Sequence, residues 1–218
     1  MKRREFFTLT VGGVLIYTLN RQALWLNAAE TPVKVPLRFF TANEARTIAA
    51  ACERIFPSDE TGPGAKEAGV VIYIDRQLAG PYGRDEFRYT KGPFIETDPS
   101  FGGYQGKESP QQIYRAGIKL LGNDFAGLMP TQQDEQLRQI EKTLFFQMLR
   151  DHTLEGMFCD PLHGGNADLV GWQLIGYPGP VMSWRSAIAV YNKGEAYRPA
   201  PVSLEQILGV RIKGIEEE

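Results

Sequence analysis

Apolar residues recur along this chain with a helical period, and strand-type alternation is scarce. Thr41-Ala42-Asn43-Glu44 is a capping box, and Ala45, Ile48, Ala49, Cys52, Ile55 and Phe56 follow it on one helical face. Pro57 stops that helix. A second helix is predicted over residues 65–78, with Val70, Val71, Ile74 and Leu78 facing inward. Ser109, Pro110 and Gln112 give an N-cap, a proline at the first helical position and an amide at the third. Ile113, Ala116, Leu120 and Leu121 then form an apolar face. Thr131 opens a further predicted helix, residues 131–150, with Leu137, Ile140, Leu144, Phe145 and Met148 inside. Shorter helices are predicted over 184–191 and 203–208, the latter behind a second capping box, Ser203 to Gln206. No internal repeat is visible. The pattern predicts an all-α protein, a single helical domain.

Two segments break the periodicity. Residues 80–109 form a long loop rich in glycine, proline and aromatics, among them Tyr82, Phe87, Tyr89, Phe94, Phe101 and Tyr104. Loops beyond ~15 residues in compact domains are functional or disordered, and so many rings argue against simple disorder. They read either as packing back on their own domain or as an interface. The second loop, residues 160–180, carries glycines at 164, 165, 171, 176 and 179, with Trp172 and Tyr177. Asp160 and Asn166 can rigidify its turns through their own backbone.

Composition narrows the function. The 218 residues include 24 basic and 26 acidic side chains, for a formal net charge of −2. That balance gives no case for nucleic-acid binding. With 43% hydrophobic and 23% charged residues the chain is globular, not disordered or collagen-like. Two cysteines and two histidines leave little material for a metal centre.

The N-terminus is a separate unit. Lys2, Arg3 and Arg4 precede Phe6 and an uncharged stretch that lasts until Arg21, with a small-residue exit at Ala28-Ala29. These are the parts of a secretory signal, and the arginine pair followed by Phe6 resembles the twin-arginine address for proteins exported after folding. Gly12, Gly13, Thr18 and Asn20 interrupt the apolar stretch. A membrane helix needs ~20 mostly apolar residues, so residues 1–28 read as a signal segment, cleaved near Ala28 or kept as an anchor. The body is then residues 29–218, a periplasmic domain with 20 basic and 25 acidic residues. An oxidising compartment permits a Cys52–Cys159 disulfide. The alternative is a buried free thiol at Cys52, an apolar helical position.

No set of residues carries a reaction alone. Gly164-Gly165 lacks the dinucleotide spacing. Ser183, His163 and Asp160 have no nucleophile elbow. A metal would have to draw on His152, His163, Asp160 and Asp168, without the helical spacing of a zinc site. No catalytic, cofactor-binding or metal residue is assigned. A self-sufficient periplasmic enzyme using Asp160, His163 and Asp168 stands as one alternative, a free-standing periplasmic binding protein as another.

Several segments together resemble the small (gamma, "subunit 3") subunit of bacterial membrane-bound FAD-dependent gluconate 2-dehydrogenase and related sugar dehydrogenases. They are the twin-arginine start, Thr41 to Glu44 running into Ile55-Phe56-Pro57, Asp59 to Ala65, Glu67 to Val70 and Tyr73 to Asp75. Thr153 to Gly156, Asp160-Pro161, Gly164-Gly165-Asn166 and Gly171 to Gly179 complete the set. The chain departs at His163, where a tyrosine is expected, and at Ala167, where a basic residue is usual. The resemblance implies a subunit without flavin or haem of its own. Such a subunit binds an FAD-carrying large subunit and takes it through twin-arginine export. A multihaem cytochrome c subunit (haem c) then passes electrons on to ubiquinone at the outer face of the cytoplasmic membrane. The interface is expected in the second loop, at Asp160, Pro161, His163, Gly164, Gly165, Asn166, Gly171, Trp172, Tyr177 and Pro178.

Overall fold

The helices form largely where the caps and apolar spacing place them, with three departures. In a computed structural model of the chain the described residues are 36–88, 92, 94, 106–181 and 183–209. The predicted signal segment with Arg3, Arg4 and Phe6, and the rings of Tyr89, Phe101 and Tyr104, lie outside them. Among the described residues the α-helices are α1 (Ala42–Ile55), α2 (Val70–Ala79), α3 (Pro110–Leu121) and α4 (Pro130–Gln139). They continue with α5 (Leu144–Phe158), α6 (Val170–Ile175), α7 (Arg185–Tyr191) and α8 (Leu204–Leu208). The fold is all-α, and no helix among the described residues is long and apolar enough to cross a membrane.

The capping boxes predicted at Thr41 and Ser203 both form, and the Ser109 N-cap closes a third. Thr41 Oγ1 accepts the Glu44 N–H at 3.3 Å, and the Glu44 carboxylate accepts the Thr41 N–H at 2.8 Å. Ser109 with Gln112, and Ser203 with Gln206, close the same reciprocal pair at α3 and α8. Each such cap contributes about 1 kcal/mol. Glu44 also pairs with Arg115 of α3, whose guanidinium lies 4.2 Å from the Phe39 ring centroid and donates to the Phe39 carbonyl at 2.8 Å. These contacts hold its carboxyl below the usual range, against the opposing effect of partial burial.

The core lies between α1, α2, α3 and α5, with α2 packed chiefly on α5 and α1. Ile48 and Cys52, Val70, Ile74 and Leu78, Tyr114, Leu149 and Met157 are wholly buried there. Full burial of each large aliphatic contributes ~1.5–3 kcal/mol.

Three helices depart from the sequence pattern. The second begins at Val70, not at 65, because Gly69 adopts φ +68° and residues 65–69 are a turn. The predicted helix over 131–150 is two helices, since Thr143 turns back to donate to the Ile140 carbonyl at 2.6 Å and caps Phe146 N–H at 3.2 Å. On α3 the inward face is Ile113, Tyr114, Gly117, Ile118 and Leu121, while Ala116 and Leu120 are exposed. The face is rotated because Gly117 admits the Phe145 ring of α5: a Cβ at 117 would sit 2.0 Å from Phe145 Cγ.

Candidate functional site

α5 ends at Phe158, and the chain from Cys159 onward folds back beneath it. Asp160 opens a single 3-10 turn, Pro161–His163. Its Oδ1 accepts the Leu162 N–H at 3.1 Å and its Oδ2 the Leu204 N–H at 2.8 Å. Both oxygens are thus committed to backbone. Asn166 is fully buried and in the left-handed region at φ +49°. Its N–H donates to the Gly156 carbonyl, its Nδ2 to the Cys159 carbonyl, and its Oδ1 accepts the Gly171 N–H, each at 2.8 Å. One side chain therefore ties the end of α5, the turn and the start of α6 together. A buried amide with these bonds met is favourable, and one left unmet costs about 1–3 kcal/mol.

Two glycines of this segment, Gly165 and Gly171, are pressed against α5. A Cβ on Gly165 would lie 2.2 Å from the Gly156 carbonyl oxygen, and one on Gly171 would lie 1.9 Å from that of Met157. Asp168 and Leu169 follow Asn166 in the left-handed region, at φ +54° and +60°. Non-glycine residues there cost of order 1–3 kcal/mol each and persist only where the surroundings impose them. Here the surroundings are the α6 backbone pressed on α5.

Trp172 is 3% exposed, donates its indole N–H to the Phe158 carbonyl at 2.7 Å and meets Tyr177 edge-on at 5.0 Å between centroids. Trp172, one of the residues expected at the interface, is thus packed within its own subunit. Gly165, Asn166 and Gly171 are likewise buried, while Asp160, Pro161, Gly164 and Pro178 are half-buried. His163, Asp168 and Tyr177 are exposed. The segment is therefore an ordered turn-and-helix, not an open loop.

Asp160 and His163 border an open groove of about 450 Å³ with Tyr73, Gln77, Glu155, Phe158 and Cys159. Tyr73 donates to Glu155 Oε2 at 2.8 Å, and burial together with that carboxylate raises the phenol well above its ordinary range. Burial pushes the Cys159 thiol up to about 11, so it is protonated at neutral pH. Among the described residues no cluster of three or more His, Cys, Asp or Glu is placed to hold a metal ion.

Both cysteines are free. Cys52, buried in α1, faces Thr153 of α5, and burial pushes its thiol up to about 12. Cys159 lies six residues beyond Thr153, about 9 Å along a helix axis at 1.5 Å per residue.

Two polar residues escaped the sequence pattern. Asp75, 2% exposed, accepts the N–H groups of Arg38, Phe39 and Phe40 at 2.7, 3.0 and 2.8 Å and pins the segment entering α1. Its signal was present: Val71, Ile74, Asp75 and Leu78 share one face. His152 stands between the Tyr82 hydroxyl on Nε2 at 2.9 Å and the Tyr114 hydroxyl on Nδ1 at 2.8 Å. Burial lowers its pKa, so the imidazole is held neutral and ties the root of the 80–109 loop to the core.

With this geometry in place, one comparison decides the family: Gluconate 2-dehydrogenase subunit 3 matches residues 42–179. The chain belongs to that family. The match runs from the first residue of α1 to Gly179, four residues beyond α6, so α7 and α8 lie beyond it. No curated protein and no solved structure matches the chain. Asn166, Trp172 and the buried Gly165 and Gly171 tie the C-terminal end of the matched region to α5. Family membership makes the chain a subunit of a multi-subunit dehydrogenase.

Proposed function

We propose that the chain is a non-catalytic accessory subunit that binds the FAD-carrying dehydrogenase subunit and accompanies it through twin-arginine export to the periplasm. A multihaem cytochrome c subunit completes the complex at the outer face of the cytoplasmic membrane, and gluconate or a related sugar acid is the substrate of the flavin subunit. The observation that carries the reading is the family match across residues 42–179. The site chemistry is consistent with it. Asp160, the carboxylate a self-sufficient enzyme would use, spends both oxygens on the Leu162 and Leu204 backbone. The Cys159 thiol, raised to about 11, is a poor nucleophile at neutral pH.

The test uses the assembled complex. His163 and Asp168 are exposed, so His163→Ala and Asp168→Asn are expected to leave folding within about 0.5 kcal/mol of the parent. Steady-state turnover should stay within about twofold. A complex that assembles normally yet loses a hundredfold or more in turnover, a loss of roughly 2.7 kcal/mol in transition-state stabilisation, contradicts the non-catalytic assignment.

A further inference from the structure

Beyond the family-matched region the chain makes an excursion that its own core does not use. It leaves the body at Pro178 and returns at Val202, whose N–H donates to the Pro178 carbonyl at 3.1 Å. The Leu204 N–H on Asp160 Oδ2, at 2.8 Å, secures the return. Between these ties, no described residue of 180–201 is buried. Excursions longer than ~15 residues that add nothing to the core are functional or disordered, yet this one is closed at its neck and carries a helix.

That helix, α7, with Trp184 as its N-cap, presents Trp184, Ile188 and Tyr191 at 55%, 57% and 79% exposure. Their spacing of four and then three residues puts them on one face. Seven residues long, α7 has no buried side chain and no side-chain cap. An isolated helix below ~12–15 residues is marginal in water, so α7 gains most from a surface that covers it. At the neck, Ile175 and Tyr177 are a further 58% and 43% exposed. Taking up to ~250 Å² for a whole aromatic side chain, the five offer on the order of 600 Å² of surface. One partner in a standard interface contributes roughly 800 Å².

The charges are also asymmetric. The whole chain is net −2, but 180–201 holds Arg185, Lys193 and Arg198 against Glu195 alone. None of those three cations enters an ion pair among the described residues. The complementary surface is an apolar groove rimmed by carboxylates.

We propose that residues 180–201 are a docking arm whose Trp184–Ile188–Tyr191 face seats in such a groove on the dehydrogenase subunit of the complex. This rests on the accessory-subunit reading and adds the surface that does the binding. It also moves the anchor from Trp172, which is buried, to Trp184, which is not.

The experiment introduces Trp184→Ser, Ile188→Ser and Tyr191→Ser together into the tagged full chain, expressed in its own host beside the parent. The parent should bring down the flavoprotein dehydrogenase, and the triple variant at least ~30-fold less of it, the scale expected when a hot-spot cluster is removed. The melting temperature of the purified variant chain should stay within about 2 °C of the parent, as for exposed positions. Tyr191→Ser alone should move recovery in the same direction by a smaller factor. Equal recovery by parent and triple variant overturns the docking arm and leaves the accessory reading standing. A parent that brings down no flavoprotein overturns that reading and the arm with it. The arm is also overturned if the triple change abolishes self-association of the parent chain, or its flotation with phosphatidylcholine–phosphatidylglycerol vesicles, while dehydrogenase recovery is unchanged.

Discussion

Trp172→Ala is expected to lower the folding stability of the subunit by about 3–5 kcal/mol, the range for removing a buried tryptophan. The ring is 3% exposed beneath the neck of the excursion, its N–H is spent on the Phe158 carbonyl, and Tyr177 packs edge-on against it. In a domain of this size each kcal/mol moves the melting temperature by roughly 2–4 °C, so a fall of about 10 °C is the expected reading by calorimetry. Trp172→Phe keeps most of the ring and loses the indole donor, which costs about 1 kcal/mol for the bond plus any unmet carbonyl. Trp184→Ala, at a side chain 55% exposed, should leave the melting temperature nearly unchanged. If Trp172→Ala melted like the parent and weakened only assembly, the buried-plug assignment would be wrong.

Changing Arg3 and Arg4 together to lysine is expected to have an all-or-none effect on location and none on folding. The substitution keeps both positive charges, so a general electrostatic role of the N-terminus survives it. On the proposed reading the arginine pair itself, which the export receptor would read, is lost. On the proposed reading the flavin subunit travels with this chain as a folded pair. Both proteins and nearly all dehydrogenase activity should then be recovered from the cytoplasm, assembled and active. Fractionation followed by an activity assay with an artificial electron acceptor decides it. Activity that stays at the outer face of the membrane shows that the partner does not depend on this signal.

Local signals in the sequence were legible because their physics is local. A capping box involves four residues, and the boxes read at Thr41 and Ser203 and the N-cap read at Ser109 all form. What lay beyond reach was either a competition between local bonds or a distant partner. The apolar run across residues 137–148 looks continuous, and only the Thr143 cap, competing with helix propagation, divides it. The α3 face could not be placed without knowing that Gly117 would meet Phe145. The 160–180 segment was recognisable as special from its glycines and Trp172, but the direction in which they face was not. Small residues suit a foreign surface and the chain's own backbone equally well, and here Gly165 and Gly171 lie against the carbonyls of α5. Asp75 was hidden for the opposite reason: a carboxylate on an apolar face reads as an exception until the three N–H groups it accepts are seen.

The central claim is that this chain works by assembly and not by chemistry of its own. It is tested most directly by purifying the tagged full chain under native conditions from its own host and measuring flavin and dehydrogenase activity in the fraction. The account predicts one flavoprotein partner per chain, with FAD and activity in that partner and none in this chain once the two are separated. A homogeneous chain that retains dehydrogenase activity or bound flavin after separation would contradict it.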